Sequence, residues 1–311
     1  MKDSPPNSPL IEPWMSPHEI NFRQQFSLFI GFINRQHLLE QPITDYHIFD
    51  SGNTSVAALL NPTTSPVVFK TASVPENIIN ESVVLKHWSQ VVSTPNVYFT
   101  HPPDTHFPFA FFTSEYISDP ILDTIPTQER IDKGISLLFG ENLAKIHLLP
   151  GIPLDNPRVL NLNKITTETD SKLSKLANRK IIDHLTIQKV EKSLDIISQS
   201  PFTPTICHMD WTPPNAFYGD HLTIFDPTVA ITDPNYDLAQ TLLITEISYP
   251  NFGLLEAKEI LKGYQTVNPI DIRLLNAYKI VSGLKKISRY FLKNNPEKVS
   301  LAISRIQEIE V

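Results

Sequence analysis

The 311-residue sequence has a single cysteine, Cys207. One thiol excludes a disulfide framework and any zinc site built on several cysteines, and it fits a reducing compartment. Long apolar runs are also missing. The longest near the N-terminus, "FSLFIGFI", is far too short to cross a bilayer, and "MKDSPPNSPLIEPW" lacks the apolar core of a signal peptide. The expectation is a soluble, cytoplasmic protein with no membrane partner. Excess positive charge is absent as well. The net charge of −7 argues against nucleic acid as a partner. Its distribution is uneven: residues 201–250 contain Asp210, Asp220, Asp226, Asp233, Asp237 and Glu246 but no Lys or Arg, whereas residues 251–311 hold six acids and ten bases.

The acidic tract includes "CHMDWTPPNAFYGDHLTIFDP", Cys207 to Pro227. Apolar residues interleave with its acids ("LTIFDPTVAI"), so part of it is buried. Buried carboxylates need cations or hydrogen-bond donors. With no basic residue nearby in sequence, a divalent metal is the candidate.

Patterning divides the chain. Residues 1–14, rich in Pro and Ser, are expected to be a disordered tail. Helical spacing runs from Pro17 to Glu40, with Ser16 and Glu19 placed as a capping box. Five short segments rich in β-branched and aromatic residues follow: "DYHIFDS", "TSVAALL", "PVVFKTA", "NVYFTH" and "FAFFTSEYI". They predict an antiparallel sheet. One helix interrupts them, "PENIINESVVLKHWSQV", with Pro75 suited to its first position and Ile79, Val83 and Trp88 as its apolar stripe. After Ser118 the pattern is mostly helical: one long helix over 127–149 with Ile135, Leu138, Phe139, Leu143 and Ile146 on one side, one or two helices over 168–198, and helices over 236–311 broken near Pro250, Pro269 and Pro296. The reading is an N-lobe over 15–117 and a helical C-lobe over 118–311. A nucleotide site between two such lobes would be a familiar arrangement.

Within the acidic tract the order is His208-x-Asp210-x-x-x-x-Asn215, and Asp226 ends the strand-like "LTIF". Phosphoryl transfer needs a carboxylate to orient or deprotonate the attacking hydroxyl. It also needs oxygen ligands that hold Mg²⁺ against the phosphates. Asp210, Asn215 and Asp226 supply these types in that order. Pro213 and Pro214 stiffen the turn between Asp210 and Asn215.

"HMDWTPPN" followed by "IFDPTVAITDPNYDLAQ" resembles the aminoglycoside phosphotransferase family. The likeness covers, more weakly, about residues 20–290. It implies an α+β, protein-kinase-like two-lobe fold, with a small antiparallel β-rich N-lobe and a larger, mostly helical C-lobe. It also implies transfer of the γ-phosphate of ATP or GTP, with Mg²⁺, to a hydroxyl of a polar acceptor. A cationic compound is one candidate for that acceptor; an aminoglycoside-like antibiotic, a sugar, an amino alcohol and an amino acid all stay open. By the same resemblance Asp210 is the catalytic base or orienter, and Asn215 and Asp226 are the metal ligands. His208 braces the loop, and Asp237 accepts N–H groups from it. Lys70, at the end of "VVFK", resembles the lysine that touches the α- and β-phosphates. Its partner would be Glu81 of "NESVVLKHW", with Glu76 as the alternative. "DSGNTSVAALL" sits where the family has its phosphate-covering hairpin, with Ser51, Gly52, Asn53, Thr54 and Ser55 as nucleotide contacts; only one glycine is present.

"TSEYISDP" resembles the hinge, where the adenine would meet backbone at Glu115 and Ile117, with Ser114 at the back of the pocket. His147 and Cys207 read as buried packing residues, Asp233 as a cap or a substrate contact, and Asp220 as a turn residue. Departures from the family pattern are Met209 and Thr232, where glycine is commoner, and Pro227, where tryptophan is. No side chain of the catalytic set is missing. That disfavours one rival, an inactive nucleotide-binding pseudokinase serving as sensor or scaffold; a second, a metal-dependent hydrolase using the same carboxylates, is weakened by the kinase-like lysine and hinge upstream.

Overall fold

A computed structural model describes residues 17–39, 41–49, 55–62, 65–105 and 107–311. The expected tail, Ser16 of the capping box, and Ser51, Gly52, Asn53 and Thr54 lie outside the described residues. The chain forms two compact units. One comprises Met1–Gln90, Thr94–Ser118 and Leu154–Pro157; the other comprises Val91–Ser93, Asp119–Pro153 and Arg158–Val311. No helix among the described residues is long and apolar enough to cross a membrane.

In the first unit, helix α1 (Pro17–Gln36) precedes strands β1 (Ile43–Ile48), β2 (Ser55–Pro62) and β3 (Val67–Ala72). Helix α2 (Pro75–Trp88), β4 (Val97–His101) and β5 (Phe111–Glu115) follow. The strands form one antiparallel sheet in the order β1-β2-β3-β5-β4, so β3 is central. Alternation along a strand sends successive side chains to opposite faces. Phe69 and Phe111 therefore join Phe26 and Phe29 of α1 in an aromatic core. Ala72 and Phe112 pack with Ile78 and Leu85 of α2 on the other face. The buried stripe of α2 is Ile78, Glu81, Leu85 and Trp88, not the expected Ile79, Val83 and Trp88; Ile79 and Val83 are only half-buried. A carboxylate stands in the apolar face.

The second unit is mostly helical. Its helices are α3 (Thr127–Asp132), α4 (Ile135–His147), α5 (Leu162–Asn178), α6 (His184–Gln199), α7 (Pro234–Ser248), α8 (Gly253–Val267), α9 (Ile272–Leu292) and α10 (Pro296–Glu308). Short strands β6 (Thr205–Cys207) and β9 (Ala230–Thr232) pair antiparallel, as do β7 (Ala216–Tyr218) and β8 (Leu222–Ile224). The single helix expected over 127–149 is two. Gly134 adopts φ 71° at the break, a left-handed conformation that glycine takes without steric cost. Pro234 and Pro296 each stand in the first turn of a helix, where the missing N–H costs nothing.

Helices α4 and α8 meet backbone to backbone. A Cβ on Gly140 would lie 1.9 Å from the Ile260 carbonyl oxygen, and one on Gly263 would lie 1.9 Å from that of Leu137. Neither contact can be relieved by turning a side chain. Gly140→Ala and Gly263→Ala are each expected to destabilise the protein by about 2 kcal/mol or more, the scale of overpacking a filled interior. Gly151→Ala, whose Cβ meets nothing within 4 Å, should be nearly neutral. Urea unfolding of the three variants checks this.

Candidate active site

Two short antiparallel strand pairs build the site in the second unit. The register Thr205↔Thr232 to Cys207↔Ala230 ends β6 just before His208. In the other, Ala216 pairs with Ile224, and the Phe225 N–H donates to the Asn215 carbonyl at 3.1 Å. The ladder thus extends one step, and Asn215 and Asp226 fall at the same end of it. Thr228 N–H closes the arrangement by donating to the His208 carbonyl at 2.9 Å.

The loop from His208 to Asn215 is pinned from beneath. Asp237, in the first turn of α7, is fully buried. Its Oδ2 accepts from the His208 N–H (2.8 Å) and its Oδ1 from the Met209 N–H (2.9 Å). The His147 Nε2–H also donates to Oδ2, at 3.2 Å. Behind His147 the donors run in one direction. Asn268 Nδ2 donates to the Tyr264 hydroxyl at 3.2 Å, and that hydroxyl lies 2.8 Å from His147 Nδ1. His208 spans the loop with both ring nitrogens: Nε2 donates to the Phe225 carbonyl (3.1 Å) and Nδ1 accepts from the Asp210 N–H (3.3 Å). Burial lowers the His208 pKa below its ordinary value, which suits this neutral tautomer. Trp211 is buried beside it, donating Nε1–H to the Phe139 carbonyl at 3.2 Å and packing on the Phe139 ring.

On this frame Asp210 is only half-buried. Asn215 Nδ2 donates both to its carboxylate Oδ2 and to its backbone carbonyl, each at 2.9 Å. Asp210, with Thr212, Pro213 and Pro214, lines one side of a hollow of about 250 Å³. Met209 and Asp226 have φ values of 61° and 55°. Left-handed backbone costs a non-glycine residue roughly 1–2 kcal/mol, and such outliers cluster at functional sites. The Met209 value gives a physical reason for a glycine preference at that position.

The remaining acids of the tract have other duties. Asp233 is fully buried and caps α7, accepting the Asn235 N–H at 2.9 Å; burial raises its pKa. Asp220 is exposed in the β7–β8 turn. Glu246 pairs with Lys279 at 2.6 Å. His147, Cys207 and Asp237 lie close enough together to suggest a metal cluster. However, the Asp237 oxygens and both His147 nitrogens are already engaged, and burial drives the Cys207 thiol well above its usual pKa. Cys207 is therefore a packing residue.

In the first unit, Lys70 Nζ donates to Glu81 Oε1 (2.6 Å) and Oε2 (2.8 Å). Glu81, not Glu76, is the partner. The pair is also structural, since Lys70 and Glu81 are only 8% and 5% exposed. Ser55 opens β2 opposite Ala72. Ser114 is buried in β5 between Val68 and Val97. The Glu115 N–H is committed to the Asn96 carbonyl at 2.8 Å, and its side chain accepts from Asn96 as well. The Glu115 N–H is therefore already used within the sheet. Ile117 is half-buried in the irregular segment beyond β5.

Removing one partner of a buried ion pair strands the other charge. Lys70→Met should therefore cost about 3 kcal/mol of stability, and adding Glu81→Leu should recover part of that loss. Urea unfolding of both single variants and the double variant measures the coupling. Additive losses would show that the pair contributes nothing as a pair.

No protein-family model and no curated protein matches the sequence. Solved structures do match its fold. Spectinomycin phosphotransferase APH(9)-Ia is 15% identical, with 91% of this chain and 93% of that one covered and a TM-score of 0.61. Aminoglycoside phosphotransferase APH(4)-Ia is 14% identical, with 90% and 96% covered and a TM-score of 0.60. A candidate fructosamine-3-kinase from Haemophilus somnus 129PT is 16% identical, with 89% and 96% covered and a TM-score of 0.60. At such identities the likeness establishes the fold: α+β, protein-kinase-like, with a small antiparallel β-rich N-lobe and a larger, mostly helical C-lobe.

Proposed function

We propose that the protein is a small-molecule kinase that transfers the γ-phosphoryl group of ATP or GTP to an acceptor hydroxyl. The observation that carries this reading is the half-buried Asp210 carboxylate, aimed by the Asn215 amide on a loop whose backbone is held by Asp237. The matched structures support the substrate pair at the level of class. The spectinomycin phosphotransferase was solved with ADP and spectinomycin, and APH(4)-Ia with AMP-PNP and hygromycin B.

Asp210 takes the acceptor's hydroxyl proton as that oxygen attacks the γ-phosphorus. The bond from phosphorus to the β–γ bridging oxygen breaks, and the nucleoside diphosphate leaves with the bonding electrons. Lys70, aimed by Glu81, meets the α- and β-phosphates. The Asn215 amide oxygen and the Asp226 carboxylate are hard oxygen donors at one hairpin end, a set that fits Mg²⁺. When bound there, the ion offsets the charge of the phosphates. Positioning and charge stabilisation account for most of the rate gain, since no covalent enzyme intermediate is needed. Residues 51–55, with backbone at Glu115 and Ile117, are the further candidates for nucleotide contact.

The test separates the two aspartates. Mg²⁺–ATP or Mg²⁺–GTP should raise the Tm of the unmodified protein, because a ligand of the folded state stabilises it by mass action. Asp210→Asn should keep that shift and lose on the order of a hundredfold or more in kcat. Asp226→Asn should lose the Mg²⁺-dependent part of nucleotide binding, with partial recovery in excess Mg²⁺. No Tm shift with either nucleotide, or full turnover in both variants, would refute the reading.

A further inference from the structure

The hollow beside Asp210 has a second wall, and its charge is unexpected. Helix α9 contributes Lys286, Arg289 and Tyr290, and Lys293 caps its end. Lys286, Arg289 and Lys293 follow i, i+3, i+7 spacing and so share one face. Asp210 is the only acid among the lining residues. Of the acids on neighbouring elements, Glu246 of α7 pairs with Lys279, and Asp123 accepts from the hydroxyl of Tyr249, itself a lining residue. None of the three cations has an ion pair or a side-chain hydrogen bond among the described residues.

A helix C-terminus favours cations within its last turn. That accounts for Lys293 and, in part, Arg289. It does not account for Lys286, which lies more than a turn before the end of α9 and is half-buried. Desolvation, with Arg289 and Lys285 nearby, pushes the Lys286 pKa down to about 8 against the opposing pull of Asp210. An unpaired ammonium taken from water is costly unless something supplies the counter-charge.

We propose that the acceptor carries an oxyanion, a carboxylate or a phosphate, which Lys286 and Arg289 bind in this hollow with Lys293 at its rim. The inference rests on the reading of Asp210 as the group that meets the acceptor hydroxyl. It revises the expectation of a cationic acceptor: an ammonium-rich compound would face three like charges here. It also bounds size. At about 250 Å³ the hollow lies below the range of roughly 300–1,000 Å³ usual for drug-sized ligands, so it suits a small hydroxy acid or a small phosphorylated alcohol. Guanidinium and ammonium groups pair with such oxyanions by short charge-assisted hydrogen bonds.

Isothermal titration of the full chain, with Mg²⁺–ADP present, tests this with four hydroxyl-bearing probes: glycerol 3-phosphate, D-glycerate, glycerol and ethanolamine. At least one of the two anions should bind saturably in the millimolar range, more weakly as salt rises, and the other two compounds should not. Comparing the anions tells phosphate from carboxylate. Lys286→Met keeps the aliphatic stem and Arg289→Gln keeps the length, so both variants should fold with an unchanged or higher Tm. Each should weaken anion binding by about tenfold, the scale of one lost charge-assisted contact, and leave Mg²⁺–ADP affinity unchanged. Lys298→Met, outside the hollow, should change neither. Glycerol or ethanolamine binding as tightly as the anions would overturn the inference. So would failure of both anions to bind, or binding indifferent to both variants. In those cases intact Mg²⁺–ADP binding leaves the kinase reading standing. Anion binding that depends on Lys286, in a protein that does not bind Mg²⁺–ADP, would instead sink the kinase reading and with it the acceptor role.

Discussion

A single buried carboxylate, Asp237, sets the geometry on which the second unit's site depends. It is wholly removed from solvent and accepts the N–H groups of His208 and Met209 and of the His147 ring. Three donors on one carboxylate, at a helix N-terminus whose dipole favours negative charge, replace the hydration that burial removes. The cost of burying Asp237 is thereby converted into constraint. The backbone immediately before Asp210 cannot shift without stranding a charge in the interior. The chain Asn268, Tyr264, His147 carries the same constraint outward to the end of α8, and Trp211 ties the loop to α4 through the Phe139 carbonyl. Because α4 and α8 are locked together at Gly140 and Gly263, the loop rests on a pair of helices with little freedom to slide.

This answers how so acidic a tract folds without bases of its own. A metal was one physical solution to buried carboxylates in a segment free of Lys and Arg. For Asp233 and Asp237 the solution is N–H donors and the start of α7, and for Glu246 it is Lys279 from α9. Asp220 lies exposed in the β7–β8 turn, and Asp210 accepts from the Asn215 amide. The sequence order alone cannot sort these cases, because cap, anchor and site carboxylates are the same side chain. Only the loop spacing and the family resemblance separated Asp210 and Asp226 from the rest.

Much of the fold was legible. The five strands follow β-branched and aromatic runs, and the last four helices break where Pro250, Pro269 and Pro296 stand. What misled was local. Periodicity carried one helix across 127–149, because the apolar spacing continues in phase through Gly134 and only the backbone there reveals the break. The stripe of α2 was misplaced at Ile79 and Val83 because Glu81, a charged residue, occupies a position that an apolar pattern would leave blank. The same fact shows why Lys70 is not an ordinary surface lysine. A central strand is covered on both faces, and Glu81 lets one of its positions be an ammonium. The cations of α9 were legible as residues and not as a site. Read alone, Lys286, Arg289 and Lys293 are the solvated face of an amphipathic helix, and nothing in their spacing says that Asp210 faces them.

The placement of those cations is fixed by the opposite side of α9. Leu284 and Ile287 are fully buried in the apolar core shared with α6, α7 and α10, and a Cβ on Gly283 would press on the Ile306 side chain at 2.7 Å. A helix held so tightly on one face cannot rotate to release Lys286 to water on the other. The desolvation of Lys286 is thus imposed by core packing, to which each buried large aliphatic side chain contributes about 1.5–3 kcal/mol. The resulting charge is held in place with no direct ion pair among the described residues; Asp210 across the hollow offsets part of it, and the ligand brings the rest of the counter-charge. That arrangement favours an anion without any reorganisation on binding, which is how a rigid helix achieves selectivity that a mobile loop would have to recover from ordering entropy.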